Sequence, residues 1–306
     1  MLVKDGILGL IVGDVLGVPV EFLTREQIAE NPVTGLREYG THNKPLGTYS
    51  DDTSMVLATI SSIIKYRGVE LDGIMREFVR WVYTGEYTQD GEAWGLGNTT
   101  IDSIMRYIYG HDVTTCGGVK ERDNGNGSLM RILPLAFLPD DLYSIELVGK
   151  VSGLTHNHPR SIIGCSLYIE IARSLIKNKD KGWTFCDHVD VASEIIREHF
   201  KGFEDLKYYE RVMNKDYEGG VRSSGYIVNT LECACYSIRV TESFEEALLY
   251  AVNLGGDTDT VGAVCGGLAG LYYGINEIPS EWINSIRGLD YVTDLCDAFE
   301  EFCSSK

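Results

Sequence analysis

The stretch from Asn253 to Gly274, NLGGDTDTVGAVCGGLAGLYYG, sets two aspartates at the mouth of an apolar run. Asp257 and Asp259 are each followed by a threonine, and Gly255-Gly256 stands ahead of them. Beyond them the chain is apolar and studded with small residues, which reads as a buried helix over 258–273. This start has a counterpart. In GTYSDDTSM (47–55), Ser50, Asp51, Asp52 and Thr53 precede Met55, Val56, Ile60, Ile63 and Ile64, which mark one face of a second helix, with Gly68 expected to close it.

Helical spacing recurs on both sides of these two segments. Ile7, Leu8, Ile11 and Val15 place a helix over 5–16, and similar patterns fall at 71–83 and 99–109. Further helices are expected over 128–138, 141–153, 159–177, 187–200, 224–239, 243–253, 279–287 and 290–302. Ser243 and Glu246 have the spacing of a capping box, and Pro159 suits a first helical turn, where its missing N–H costs nothing. No alternating run with a hairpin turn appears, so the expected fold is all-α. Nothing resembling a linker, repeat or low-complexity tract divides the chain, and 1–306 is expected to form one compact multi-helix domain. The longest non-helical stretches are 84–98 and 110–127, and long loops in a helical protein are where function concentrates.

The bulk numbers narrow the partners. The formal charge is 27 − 45 = −18, a field that disfavours a phosphate backbone and attracts cations. It leaves room for a small phosphorylated ligand, which needs only a few local donors. Eight scattered cysteines form no CxxC pair, so they read as buried reduced thiols of a cytoplasmic protein. The N-terminal MLVKDGILGLIVGDVLGVPVEF (1–22) is apolar but carries Lys4, Asp5 and Asp14, and reads neither as a signal peptide nor as a membrane span.

Capping explains one acid at a helix start, because Ser, Thr and Asp accept the free N–H groups there and anions favour the dipole. A second acid is surplus, and here two helices each carry one. If both helices enter the core from one side, four carboxylates meet, and such a cluster repels unless cations neutralise it. The donors are all oxygen, which suits Mg²⁺ or Mn²⁺ better than zinc; no HExxH is present. Two metals sharing bridging carboxylates typically sit about 3.5–4 Å apart.

Three other features carry chemistry. Glu21 lies in GDVLGVPVEF (13–22). In RDNGNGSLMRILPLA (122–136), the backbone N–H groups of Asn124, Gly125, Asn126 and Gly127 are placed to cradle an anion such as a diphosphate, although an Asn-Gly turn has the same sequence. In GLTHNHPRS (153–161), His156 and His158 are two of the six histidines. Their spacing does not suit a metal pair on one helix face. Arg131 and Arg160 follow these loops and are available to phosphate or to the acids.

Taken in order, GLIVGDVLGVPVEF, GTYSDDTSM, GNGSLMRILPLA, THNHPRS and the 253–274 stretch resemble the ADP-ribosylglycohydrolase family over nearly the whole chain. The resemblance implies an all-α single-domain fold with a binuclear magnesium or manganese centre. It implies that Ser50, Asp51 and Asp52 supply ligands from one side and Asp257, Asp259 and Thr260 from the other. It further implies that Glu21 stands near the metals and the scissile ribose, Asn124 to Gly127 hold the diphosphate, and His156 lies beside the ribose. Gly255-Gly256 would let the backbone approach the ligand. The implied reaction is hydrolysis at the anomeric carbon of ADP-ribose, attached to a protein side chain or to a small conjugate such as O-acetyl-ADP-ribose. Glu21 is the expected proton carrier, with Asp51 as ligand and alternative base. A non-catalytic ADP-ribose-binding protein is the competing reading. One departure stands out: some bacterial members carry an acid in the stretch matching EAWGLGNTT (92–100), where the central positions of this chain read Trp94-Gly95-Leu96-Gly97 and the nearest acid is Glu92.

Overall fold

The structure is a computed structural model, and it describes residues 2–305. Fourteen α-helices follow one another: α1 (Val3–Gly17), α2 (Arg25–Glu30), α3 (Asp51–Tyr66), α4 (Leu71–Thr84), α5 (Asn98–Ile108), α6 (Ile145–Ser152), α7 (Pro159–Lys177), α8 (Phe185–His199), α9 (Glu210–Met213), α10 (Ile227–Arg239), α11 (Phe244–Asn253), α12 (Thr258–Tyr273), α13 (Ser280–Ser285) and α14 (Leu289–Ser304). Short 3₁₀ turns connect several of them. Among the described residues the only β pairings are isolated bridges, such as Gly125 with Tyr226 and Gly118 with His156. The all-α expectation therefore holds.

At the centre α1 and α12 run antiparallel in contact along their length. The facing residues are glycines four apart in sequence, one helical turn per step. A Cβ built on Gly13 would lie 2.0 Å from the carbonyl oxygen of Gly262, and one on Gly266 would lie 2.1 Å from that of Gly9. The two backbones thus touch with no side chain between them. Thr258 Oγ1 closes this seam by donating to the Gly17 carbonyl at 2.7 Å. Around the pair, α3, α7, α10, α11 and α14 bury the remaining faces. Neither α1 nor α12 has a solvent side, which is why both are apolar all round rather than striped.

Several boundaries differ from the sequence expectation. Residues 128–138 are not an α-helix but two 3₁₀ turns, Asn126–Ser128 and Leu133–Phe137. Pro134 lacks an N–H and disfavours the α conformation at Leu133, so the helical ladder cannot run through. The helix expected over 141–153 begins only at Ile145, where Ser144 Oγ accepts from Leu147 N at 3.1 Å. Helix α2 was not expected, yet Thr24 and Gln27 form a complete capping box in the T-x-x-Q pattern. At Ser243 only half a box forms: Glu246 reaches the Glu242 N–H at 3.0 Å instead of that of Ser243. The left-handed residue ending α3 is Arg67, at φ 54°, one before the expected Gly68. Pro159 is the first residue of α7, as expected. All eight cysteines are free thiols, and all but Cys186 are buried.

The glycine seam can be tested. Gly13→Ala should destabilise the protein by roughly 1–3 kcal/mol or prevent folding, because the new methyl meets backbone rather than a movable side chain. Gly68→Ala, which meets nothing within 4 Å, should change stability by no more than about 0.5 kcal/mol. Equal denaturation midpoints for the two variants would contradict the packing argument.

Candidate metal centre and ligand cleft

The seam decides where the acids go. Because α12 runs antiparallel to α1, its first turn lies beside the last turn of α1, and α3 starts next to both. Two helix N-termini and the segment after α1 therefore meet at the floor of one cleft of about 640 Å³. Glu21, Asp51, Asp52, Asp257, Asp259 and Thr260 all line it. The two doublets are joined directly, with Thr260 Oγ1 donating to Asp52 Oδ2 at 3.3 Å.

Capping does not account for these carboxylates. At α3 the capping is done by other groups. Ser50 Oγ accepts from Asp52 N at 3.2 Å. Asp14, reaching across from α1, accepts from Ser50 N at 3.0 Å, Thr53 N at 3.1 Å and Thr53 Oγ1 at 2.6 Å. That leaves Asp51 and Asp52 surplus. Asp52 Oδ2 takes the Ser50 hydroxyl, but its Oδ1 is buried with no hydrogen-bond partner among the described residues. At α12 the N-cap position is Asp257, and its side chain caps nothing. Its Oδ2 instead accepts from Asn126 Nδ2 at 3.0 Å. Asp259 Oδ1 accepts from the adjacent Thr260 N–H, at 2.8 Å.

Glu21 is aimed at the cleft by the turn after α1. Phe22 adopts φ 67°, unusual for a bulky residue, and its N–H bonds the Gly256 carbonyl at 2.7 Å. Thr41 Oγ1 holds the Glu21 carbonyl at 2.8 Å, and His42 Nε2 makes a short contact with Glu21 Oε2. His42 in turn packs on Trp94 and on Phe22, which is 67% exposed at the rim.

One oxygen each from Glu21, Asp257 and Asp259 lies within 4.8 Å of the others, a group that could hold a metal ion. Asp102 and Asp123 also line the cleft, and Arg122 at the rim is its one lysine or arginine among the described residues. The acids are consequently strained as anions. Burial first, then the charges of Asp14 and the neighbouring acids, push Asp51 and Asp52 well above the usual carboxylate range. Burial and Asp257 do the same to Asp259, and raise Glu21 against the opposing hydrogen bond from His42. Burial lifts Asp14 to about 6, with the Thr53 and Ser50 hydrogen bonds opposing. An oxygen-only donor set, an orphaned carboxylate oxygen and a net excess of buried negative charge fit a hard divalent cation.

Other expected residues fall behind the cleft rather than on it. Ser50 is spent on Asp52. Asn124 braces the loop, with Nδ2 on the Glu121 carbonyl and Oδ1 accepting from Ser161. Gly255 and Gly256, at φ 75° and 78°, make the turn that feeds α12; a Cβ on either would strike protein backbone, not ligand space. Gly125, Asn126, Gly127 and His156 do line the cleft. The Asn126 N–H, however, is taken by the Gly225 carbonyl at 3.0 Å, so this residue contributes through its side chain. Arg160 pairs with Glu121 and Asp205, and Arg131 meets no acid. Asp14 was missed by sequence reading because it sits inside an apolar helix with no motif around it.

The raised carboxylates set the pH response. In the fold they retain protons that the unfolded chain, near 3.8, has released. Stability of the metal-free protein is therefore lost as pH rises from that value through about 6 for Asp14 and through the raised values of Asp51, Asp52 and Asp259. A bound cation removes this loss. The gain in melting temperature from Mg²⁺ or Mn²⁺ over EDTA should grow between roughly pH 5 and pH 8, and Asp52→Asn should flatten it. A gain independent of pH would contradict the cluster.

A family model described as ADP-ribosylglycohydrolase matches residues 2–306. The ADP-ribosyl-[dinitrogen reductase] glycohydrolase of Rhodospirillum rubrum is 34% identical over 292 residues, spanning 91% of this chain and 88% of that protein. The ADP-ribosylarginine hydrolase Tri1 of Serratia proteamaculans (strain 568) is 28% identical over 297 residues, 96% of this chain and 77% of that one. A solved structure described as an ADP-ribosylglycohydrolase-related protein complex superposes with a TM-score of 0.81 at 28% identity, covering 98% of each chain. With the family model matched over nearly its full length and the acids of α3 and α12 gathered in one cleft, the chain belongs to the ADP-ribosylglycohydrolase family.

Proposed function

We propose that this chain, as one domain over 1–306, is a hydrolase dependent on two divalent cations, Mg²⁺ or Mn²⁺. Its reaction is cleavage of the glycosidic bond at the anomeric carbon of ADP-ribose, releasing ADP-ribose from a modified protein side chain. The observation that carries this reading is the cleft itself. Surplus carboxylates from two helix starts line its floor, and the Gly125–Gly127 loop and His156 form another part of its lining. Its volume of about 640 Å³ is in the range that receives a nucleotide-sized ligand.

Asp51, Asp52, Asp257 and Asp259, with Thr260, are the residues to hold the cations. When bound, such ions act as Lewis acids and lower the pKa of water. The chain's own groups supply the rest. Glu21 stands beside Asp257 and Asp259 at the reacting end, where it can pass a proton from the attacking water to the leaving nitrogen or oxygen. His42 orients the Glu21 carboxylate through Oε2. Asp51, which also lines the cleft floor, is the alternative base. The water oxygen joins the anomeric carbon, the bond to the leaving group breaks, and the leaving group departs with the proton.

The relatives' names point to protein-linked and arginine-linked ADP-ribose, which supports a protein-linked substrate here. The stretch 92–100, whose nearest acid is Glu92, argues for a difference from members that carry an acid in its centre. Gly95 is left-handed, at φ 81°, and a Cβ on it would lie 2.3 Å from Asp51 Oδ1. Any side chain at this position would require the Asp51 carboxylate to shift.

The test is release of ADP-ribose from arginine-, serine- and acetyl-linked substrates by Mn²⁺- or Mg²⁺-loaded protein. Release from one of them, abolished by EDTA, is the expected result; tight binding without release from any would favour the non-catalytic reading. Glu21→Gln should keep the fold and lower turnover by about 10²–10⁴-fold. Wild-type turnover in that variant would remove Glu21 from the proton-transfer role.

A further inference from the structure

His156 faces the cleft beside Gly125 and Gly127, and the reaction outlined above uses none of its protons. Its Nε2 has no hydrogen-bond partner among the described residues. Its Nδ1 lies 2.8 Å from Thr155 Oγ1. The same hydroxyl accepts from Arg131 Nη2 at 2.9 Å, and that nitrogen also donates to the Val151 carbonyl at 3.0 Å. Arg131 is wholly buried, with its guanidinium 4.8 Å from the centre of the Phe78 ring. Its Nε and Nη1 have no partner among the described residues, so nothing nearby neutralises it.

These bonds fix the direction of every proton in the chain. A guanidinium only donates, so Thr155 Oγ1 must accept from it. The Thr155 hydroxyl proton then has a single acceptor in reach among the described residues, His156 Nδ1. A proton on Nδ1 would compete with it and leave a buried hydroxyl proton with nothing to bond. We infer that Arg131 and Thr155 are positioning residues that hold His156 as the neutral Nε2–H tautomer, so that the cleft presents a fixed N–H donor to a ligand oxygen. Burial first and the Arg131 charge second, opposed by Asp123, hold the imidazole to about 3, so the ring stays uncharged at neutral pH.

The consequence concerns recognition. The floor of the cleft is carboxylate, which repels a phosphate oxygen that is not bridged by a cation. The His156 N–H is a donor that needs no cation, at the Gly125–Gly127 loop. A sugar hydroxyl or phosphate oxygen of the ligand is the acceptor it fits. The identity of that ligand rests on the ADP-ribose reading; the tautomer does not.

The experiment is ¹⁵N-histidine labelling of the full chain, with long-range proton–nitrogen correlation spectra and the His156 ring assigned by its loss in His156→Gln. Nε2 should be protonated and Nδ1 bare over roughly pH 6 to 8. Thr155→Val should give a mixture of tautomers and weaken ADP-ribose binding about tenfold. Thr155→Ser, which keeps the hydroxyl, should retain both the tautomer and the affinity. His156→Gln, whose amide nitrogen reaches the Nε2 position, should bind ADP-ribose better than His156→Asn. An Nδ1–H ring or an imidazolium in the wild type at neutral pH would overturn the inference. So would loss of affinity in Thr155→Ser equal to that in Thr155→Val. Failure of ADP-ribose to bind the wild type would overturn the functional reading, while the tautomer spectrum would still decide the relay.

Discussion

Backbone contact between α1 and α12 is the constraint on which the rest depends. Side chains usually keep helix axes about 8–10 Å apart. Here glycines face glycines, and the carbonyls of Gly9 and Gly262 stand where Cβ atoms would otherwise be. The contact fixes the axial register as well as the separation. Thr258 is locked onto Gly17, so Asp257 and Asp259 cannot slide relative to Asp14 or Glu21. A site built at the ends of long helices needs that register, because a shift of one residue would carry a carboxylate about 1.5 Å along the axis and round to another face.

Charge is the second constraint. Asp14, Asp51, Asp52 and Asp259 are buried together, and among the described residues no lysine or arginine bonds any of them. Elsewhere in the protein, buried Asp5, Glu77 and Glu232 each meet a lysine or arginine. Glu77, equally buried, binds Lys65, Arg80 and the Tyr87 hydroxyl. The contrast shows that these four acids are left without a basic partner among the described residues. The positive ends of α3 and α12 relieve part of the cost, and the orphaned Asp52 Oδ1 marks where more positive charge is needed.

Much of this was legible before the fold was known. The doublets could be read because two acids at a helix start exceed what a cap needs, and because the pattern occurs twice. Their meeting could only be conjectured, since it depends on helix register. Asp14 was invisible for that reason: in sequence it is one acid in an apolar helix, and only the structure shows it capping α3 from the side. The glycines of α1 and α12 were in plain view at spacings of four, but a glycine excess reads as turns until a partner helix is found for it. The stretch 128–138 misled because a continuous apolar run has no period to separate an α-helix from buried 3₁₀ turns, and Pro134 decided the matter. Asn126 is expected to act through its backbone, but that N–H is bonded to Gly225 and its amide meets Asp257 instead, a distinction that spacing cannot carry.

The central claim is that the acids at the starts of α3 and α12 hold two divalent cations beside Glu21. Its most direct test is an anomalous difference map from crystals grown in saturating Mn²⁺. The account predicts two peaks at the cleft floor, bounded by the carboxylates of Glu21, Asp51, Asp52, Asp257 and Asp259. A cleft without a peak, its carboxylates arranged as described here, would contradict it.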